Sequence, residues 1–316
     1  MNLREWASNS QKFLKCIPKE DQANREKLKV LGLTWTIKDD TLTVNSARND
    51  NMSPVTKREV LQRVASVFDP LGFFTPVTLR TKLFLQMLWN KKMEWDEQLT
   101  EKDIQQWKEI SFDLDEIQEY HIPRAIGLPG TVTFRLLCFC DASTKAYASA
   151  VYLHQLREDN LCKIDLLFSK TRLVPNKKIT LPRLELLAVV IGVRCIDFVK
   201  KQLKLPICET ILWTDSQCVL HWIGSKKPLA TFVDNRIKEI RQQQDIQFQY
   251  VYTKENPADI ASRGTTVSLL KENSQWGHGP SWLTKHRTEW PSWDPHNISV
   301  DNVQESVGKF RNLPCY

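Results

Sequence analysis

The sequence has no long apolar run, and no segment of its 316 residues approaches the ~18 consecutive apolar residues of a membrane-spanning helix. Its first residues, MNLREWASNSQKF, carry charge where a secretory signal needs an apolar core. These absences argue against a membrane protein and against a secreted one. The start reads like the interior of a domain, so we expect a fragment of a longer polypeptide.

Paired cysteines are also missing, and charge of one sign is only modestly in excess. Eight cysteines occur at irregular spacings without a CxxC pair. Irregular spacing without paired cysteines favours a reduced, intracellular protein. Cys208, Cys218 and His221 match no known zinc-binding spacing. The net charge of +7 favours a polyanionic partner such as nucleic acid. Many basic proteins bind nothing acidic, so charge alone does not decide the function.

Changes of pattern divide the chain into four segments. The first contains a predicted hairpin, in which LTWTI and TLTV flank KDD. In the second segment, apolar residues recur at helical spacing and predict three helices. A linker that contains Pro and Gly follows at 121–130. The last is a tail with four of the eleven tryptophans and little periodicity, for which we expect partial order. The predicted segments are 1–52, 53–125, 131–265 and 266–316.

The third segment has the pattern of an α/β domain. Three strand-like runs, VTFRLLCFC, AYASAVYLH and CKIDLLFSKTRL, precede alternating helices and strands in the order βββ-α-β-α-α-β-α. Short connections favour antiparallel pairing of the first three strands, whereas helix–strand alternation favours parallel pairing. The sequence therefore predicts a mixed five-stranded sheet with flanking helices, preceded by a mostly helical region.

Four carboxylates stand at the ends of elements in this domain. Asp141 follows the first strand and Asp215 follows the strand ETILW, so both reach one edge of the sheet if these strands are parallel and adjacent. Glu185 lies in the first turn of the long helix. Asp259 is at the third position of a predicted helix in NPADIASRG, which Asn256 can cap.

Each acid also has an ordinary structural explanation. Asp141 can belong to a turn, Glu185 and Asp259 can complement helix dipoles, and Asp215 can cap the next helix. Acids that meet in one place repel each other unless cations neutralise them, and oxygen-only ligands favour Mg²⁺ or Mn²⁺. Two such ions ~3.5–4 Å apart promote in-line phosphoryl displacement. Four acids in one α/β unit favour this metal site over four separate explanations.

The blocks around these acids resemble the pol polyproteins of BEL/Pao-type LTR retrotransposons. FCDAS, LPRLELLA, WTDSQCVLHWI and NPADIASRG are similar to the four ribonuclease H blocks of that family. Upstream, LREWASNS, VLGLTW and KREVLQRVASVFDPLGFFTPV resemble the end of a reverse transcriptase palm, then its thumb and connection. The resemblance makes the four segments the end of the palm, the thumb and connection, the ribonuclease H domain and a linker toward a missing integrase.

The resemblance implies a ribonuclease H that cuts the RNA strand of an RNA–DNA hybrid with two Mg²⁺ ions, or Mn²⁺, as cofactors. It makes Asp141, Glu185, Asp215 and Asp259 the catalytic, metal-binding carboxylates. Many relatives have a histidine before the last aspartate, whereas the loop YTKENPAD has none. The missing palm and integrase are expected partners, and the location is the cytoplasm, inside virus-like particles of a full element, or the nucleus.

Substrate contacts are implied as well. Three hydroxyl residues close to the acids are candidates for bonds to a 2′-hydroxyl or a phosphate. Three basic residues follow the third acid, in the helical region that faces the DNA strand in the family, although they also suit a solvated helix face. The candidates are Ser143, Thr144, Ser216, Lys226, Lys227 and Arg236.

The sequence leaves two other functions open. The chain lacks a Y-x-D-D-type turn, so DNA synthesis by it alone is not expected, and the missing domains leave a non-catalytic nucleic-acid-binding remnant as an alternative. An aspartic peptidase needs an Asp-Thr/Ser-Gly turn, whereas CDAST and TDSQC lack the glycine. Four intact acids favour the ribonuclease over both alternatives.

Overall fold

A computed structural model describes residues 4–46 and 55–293, apart from the side chain of Glu119. Its first part holds a small antiparallel sheet and three longer helices. The elements are α1 (Gln11–Leu14), β1 (Lys27–Val30), β2 (Leu33–Thr36), β3 (Thr41–Thr43), α2 (Lys57–Ser66), α3 (Thr75–Asn90), α4 (Glu101–Glu116) and β4 (Ile122–Pro123), with 3₁₀ turns at Lys19–Asp21 and Ile117–Glu119. The predicted hairpin is confirmed, because β2 and β3 pair antiparallel. Strand β4, from the expected linker, pairs with β3.

The second part is the predicted α/β unit. Its elements are β5 (Thr131–Ala142), β6 (Ala146–Arg157), β7 (Cys162–Leu173), α5 (Leu181–Leu203), β8 (Ile207–Thr214), α6 (Gln217–Gly224), α7 (Thr231–Arg241), β9 (Ile246–Tyr250), a 3₁₀ turn at Thr253–Glu255 and α8 (Ala258–Arg263). The sheet order is β7-β6-β5-β8-β9, with β5–β8 and β8–β9 parallel and the other pairs antiparallel. The mixed five-stranded sheet is confirmed, with the predicted order of elements along the chain.

Alternation along the strands sends side chains to both faces of this sheet. On β5, Leu136, Cys138 and Cys140 belong to the core under α5, which we call the α5 face. Leu137 and Phe139 belong to the core on the opposite side, the α8 face, which also includes residues of α8. Burial on both faces explains why β5 and β6 read as nearly continuous apolar runs.

Helix α5 is the longest of the described helices, with 23 residues. Pro182 lies in its first turn, which suits proline because a backbone N–H there has no partner within the helix. Its apolar residues recur at helical spacing and are buried against the sheet. Neither α5 nor any other helix within residues 4–46 and 55–293 is long and apolar enough to cross a membrane.

The loop between α2 and α3 joins the helical part to the edge strand β7. The backbone N–H of Ser169 donates to the carbonyl of Leu71 at 2.9 Å, and its hydroxyl donates to the carbonyl of Gly72 at 2.5 Å. The indole N–H of Trp276 donates to the carbonyl of Phe73 at 2.9 Å. The helical part is therefore packed directly against the sheet and the segment that follows it.

Gly72→Ala is expected to weaken this joint. Gly72 has a φ of +79°, and an added Cβ would lie against the carbonyl oxygen of Ser169, well inside van der Waals contact. The substitution combines backbone strain with a clash, so we expect urea denaturation to show a loss of about 2 kcal/mol in the free energy of unfolding. Gly127→Ala is the control, because nothing lies within 4 Å of its added Cβ. Equal stability of the two variants would contradict the close packing of the α2–α3 loop against β7.

Residues 266–293 are folded onto the α8 face of the sheet. They form α9 (Val267–Glu272), α10 (Ser274–His278) and 3₁₀ turns at Ser281–Thr284 and Arg287–Glu289. Trp282 and Trp290 are buried there beside Trp213 of β8. Aromatic side chains fill this sheet face without a helical repeat, so residues 266–293 are packed although their sequence shows little periodicity. The expected partial order of 266–316 as a whole stays a prediction. Residues 294–316 lie outside the described part of the chain.

Candidate active site

Asp141 and Asp215 lie next to each other at one end of the sheet. Strands β5 and β8 are parallel neighbours in which Cys140 stands opposite Thr214. Asp141 directly follows Cys140, and Asp215 directly follows Thr214. Strand β5 continues to Ala142, so Asp141 belongs to the strand end and does not follow it as predicted. The two strands are therefore parallel and adjacent, as the predicted meeting of the two acids requires.

The Asp141 carboxyl is buried among negative charges, with 3% of the residue exposed. Burial first, and then the charges of Asp215 and Asp259, raise the pKa of Asp141 to about 7. The Ser262 hydroxyl and the Arg263 guanidinium act in the opposite direction. Three carboxyl groups therefore interact electrostatically, which is the situation that a bound cation relieves.

Helix α8 brings Asp259 to this cluster. Asn256 fixes the entry to the helix, since its Nδ2 donates to the Cys140 carbonyl at 2.9 Å and its Oδ1 accepts the Ala258 N–H at 3.1 Å. The helix begins at Ala258, so Asp259 is its second residue and not its third. Arg263, one turn later, donates from Nε to Asp259 Oδ1 at 2.6 Å. This hydrogen bond and the charge of Asp259 raise the pKa of Arg263.

Glu185 approaches the strand ends from α5. The helix begins at Leu181, which places Glu185 in the second turn and corrects the predicted first-turn position. Its Oε2 accepts the Ser216 hydroxyl at 2.5 Å. Burial and then the charge of Glu185 raise the pKa of the Cys218 thiol to about 11, so the carboxylate lies close to α6. Because Ser216 directly follows Asp215, the hydrogen bond ties Glu185 to the end of β8.

Two further hydroxyl groups contact the aspartates. The Ser262 hydroxyl contacts Asp141 Oδ2, and Thr253 Oγ1 donates to Asp215 Oδ2 at 2.6 Å. Neither residue was among the predicted site residues. A signal for Ser262 existed, because a residue three positions after Asp259 lies on the same helix face. Nothing in the sequence placed Thr253 beside Asp215.

The acids do not form a closed metal cage. Within residues 4–46 and 55–293, no three His, Cys, Asp or Glu side chains stand so that they could hold one ion together. Mg²⁺ usually keeps several waters and is bound by one or two carboxylates together with substrate phosphates. The oxygen donors, and the repulsion that contributes to the raised pKa of Asp141, therefore fit a hard divalent cation.

The three hydroxyl candidates for substrate binding differ in their surroundings. Ser143 is buried, and its hydroxyl donates to the Ser262 carbonyl at 2.7 Å, which joins the β5–β6 turn to α8. Ser216 is also buried, caps α6 and donates to Glu185. Both hydroxyls donate hydrogen bonds within the protein, and their contacts with the substrate stay predictions. Thr144 is exposed, and its role as a substrate contact stays a prediction.

The three basic candidates follow the third acid along the chain. Lys226 and Lys227 are exposed, and they lie in the loop between α6 and α7. The Arg236 guanidinium lies over the Phe232 ring, 3.5 Å from its centroid. Arg183, which was not among the predicted site residues, lies over the same ring at 5.1 Å. Contacts of these cations with nucleic acid stay predictions.

Several solved structures are similar to this chain. A foamy viral protease-reverse transcriptase in complex with double-stranded DNA is 12% identical, with a TM-score of 0.40 over 73% of this chain and 39% of that one. RNase H1 from Halobacterium salinarum is 13% identical, with a TM-score of 0.27 over 45% of this chain and 99% of that one. LC11-RNase H1 in complex with an RNA/DNA hybrid is 12% identical, with a TM-score of 0.27 over 39% and 88% of the two chains. The chain thus spans well under half of the foamy viral protein. No curated protein matches it.

The sheet topology, with acids at the ends of two adjacent parallel strands, defines an RNase H-like α/β protein. The Pao retrotransposon-like RNaseH-like domain matches residues 56–216, just over half of the sequence. The chain belongs to this family, which confirms the resemblance to Pao-type retrotransposon proteins. The matched span includes part of the helical region and stops before Asp259. The assignment of 1–52 and 53–125 to reverse transcriptase segments stays a prediction.

Proposed function

We propose that this protein is a Mg²⁺-dependent ribonuclease H that cleaves the RNA strand of RNA–DNA hybrids. The observation that carries the proposal is the placement of Asp141 and Asp215 at the ends of neighbouring parallel strands in a member of an RNase H-like family. Asp259 acts electrostatically on Asp141, and Glu185 is tied to the end of β8 through Ser216. Acids in this arrangement suit the metal-assisted hydrolysis of a phosphodiester.

The four carboxylates would hold two Mg²⁺ ions, with Mn²⁺ as a substitute. Bound divalent cations supply activation of a water molecule and stabilisation of the leaving oxygen. The protein's own contribution is positioning, because β5 and β8 fix two acids in register while α5 and α8 carry the others. Burial of Asp141 places its carboxyl group in a low-dielectric environment, where its electrostatic interactions are stronger than in water. The metal-binding set is Asp141, Glu185, Asp215 and Asp259.

The surroundings of the acids suit a nucleic-acid backbone. Thr144 is exposed in the turn after Asp141, and Lys226 and Lys227 are exposed in the loop after α6. A hybrid duplex is close to A-form and is recognised through phosphates and 2′-hydroxyls and not through base sequence. Hydroxyl, ammonium and guanidinium groups provide such contacts, so Thr144, Lys226, Lys227 and Arg236 are the proposed substrate-binding residues.

The proposal is tested with one labelled RNA presented in a hybrid and as a single strand, and with double-stranded DNA of the same sequence. We expect cleavage of the RNA in the hybrid alone, with Mg²⁺ and not with EDTA. A folded protein that binds the hybrid without cutting it would overturn the proposal in favour of a non-catalytic remnant. Proteolysis that is sensitive to pepstatin would favour the aspartic peptidase.

A further inference from the structure

Three hydroxyl groups, which we call the hydroxyl clamp, bind three of the four carboxylates one to one. They belong to Ser216, Thr253 and Ser262, and their carboxylate partners are Glu185, Asp215 and Asp141. Two of the three, Thr253 and Ser262, come from the short segment that carries Asp259. This segment lies beyond residue 216, where the family match ends.

The backbone that carries these two hydroxyls is held at several points. Asn256 donates from its amide to the Cys140 carbonyl at 2.9 Å, directly before Asp141. Ser143 donates to the Ser262 carbonyl at 2.7 Å. Ser262 itself is fully buried. The backbone around Thr253 and Ser262 is therefore fixed by hydrogen bonds to the β5 end of the sheet.

A hydroxyl on one carboxylate oxygen fixes the orientation of the whole group. A carboxylate has two oxygens and about four acceptor positions, so one such bond leaves it able to bind a cation. Groups that bond to metal ligands from behind set the direction of the ligands, and their loss typically weakens metal binding or activity 10–100-fold. The contacts of Thr253 and Ser262 have this form.

We propose that Thr253 and Ser262 are positioning residues that hold Asp215 and Asp141 in the orientation needed to bind divalent cations. The inference rests on the proposed function, because it concerns the same carboxylates. Asp259 is held differently, by the Arg263 guanidinium at 2.6 Å. Thr253 and Ser262 thus act on the two acids that the sheet itself brings together.

Thr171 provides a matched control for a purely structural effect. Its hydroxyl donates to the Ala261 carbonyl of α8 at 3.1 Å, so it supports the same helix without touching a carboxylate. Thr171→Val and Thr253→Val each remove one hydroxyl and keep the side-chain shape. If the hydroxyls only support α8, the two variants will behave alike.

The experiment measures Mn²⁺ binding by water-proton relaxation for the parent and for Thr253→Val, Ser262→Ala, Thr253→Ser and Thr171→Val. We expect the Mn²⁺ dissociation constant to rise about tenfold or more in Thr253→Val and Ser262→Ala. It should stay near the parent value in Thr253→Ser, which keeps the hydroxyl, and in Thr171→Val. Melting curves in EDTA confirm that each variant is folded. The Mg²⁺ concentration for half-maximal hybrid cleavage should shift in the same order.

Unchanged Mn²⁺ binding in both Thr253→Val and Ser262→Ala would overturn the clamp, as would an equal loss in Thr171→Val. A parent protein that binds no Mn²⁺ would also overturn it. A parent that binds Mn²⁺ but leaves the hybrid intact would refute the proposed function alone, because the binding comparison still decides the clamp. The two proposals therefore fail in distinguishable ways.

Discussion

Asp141→Asn is expected to make the metal-free protein more stable at pH 8 and to abolish hybrid cleavage. Burial and the charges of Asp215 and Asp259 raise the pKa of Asp141 to about 7 in the folded protein, whereas an unfolded aspartate titrates near 3.9. Between these two values the folded state binds more protons than the unfolded state, so stability falls as the pH rises. The neutral amide removes this penalty and still accepts a hydrogen bond from Ser262.

The measurement is urea denaturation in EDTA at pH 4 and at pH 8. At pH 8 we expect Asp141→Asn to exceed the parent by roughly 2–4 kcal/mol, at about 1.4 kcal/mol per pKa unit. At pH 4 the difference should nearly vanish, because folded Asp141 is then protonated. Asp245→Asn is the control, since Asp245 is an exposed carboxylate paired with Lys200. A variant that is less stable than the parent at pH 8 would contradict the described cluster.

Trp282→Ala is expected to lower the free energy of unfolding by about 3–5 kcal/mol, the usual range for removing a large buried aromatic residue. Trp282 is 7% exposed. Its ring centroid lies 5.4 Å from that of Trp213 and 6.0 Å from that of Phe139. Its removal would open a cavity directly over the central strands β5 and β8, so the effect should extend to the sheet.

The control for this substitution is Leu269→Ala on α9, because Leu269 is 56% exposed. It should change stability by no more than about 0.5 kcal/mol. Both variants are measured by thermal and chemical denaturation of the full chain. A loss below about 1 kcal/mol in Trp282→Ala would mean that residues 266–293 are not part of the core.

The positions of Asp141 and Asp215 were accessible from sequence because the signal is local. A strand buried on both faces appears as a continuous apolar run, and an acid at its end marks the edge of the sheet. The pairing of β5 with β8 then brings the two acids together without further information. The error at Glu185 was one of helix boundary, since the helix already includes Leu181 and Pro182.

The hydroxyl contacts were not accessible in the same way. They depend on how the segment from Thr253 to Ser262 docks against the ends of β5 and β8. One anchor of that docking is the bond from Asn256 to Cys140, two residues that are 116 positions apart in the sequence. A serine or threonine near an acid in sequence is common, so only the folded arrangement identifies which hydroxyls meet carboxylates.

The packing of the tail's tryptophans was not accessible from sequence for a related reason. Its tryptophans follow neither a helical nor an alternating repeat, and periodicity is the main sequence signal for burial. In the fold, short helices and 3₁₀ turns bring Trp282 and Trp290 one after the other onto the α8 face. These tryptophans are buried because they cover an apolar face of the sheet, and that face is formed by residues far away in the sequence.

The most direct test of the proposed function compares hybrid cleavage in Mg²⁺ by the parent and by Asp215→Asn, with Asp245→Asn as the control. A cooperative melting transition should show that all three proteins are folded. We expect the parent and Asp245→Asn to cut the RNA strand, and Asp215→Asn to be slower by about a thousandfold or more. Cleavage by Asp215→Asn at the parent rate, or binding without cleavage by a folded parent, would contradict a ribonuclease H built on these carboxylates.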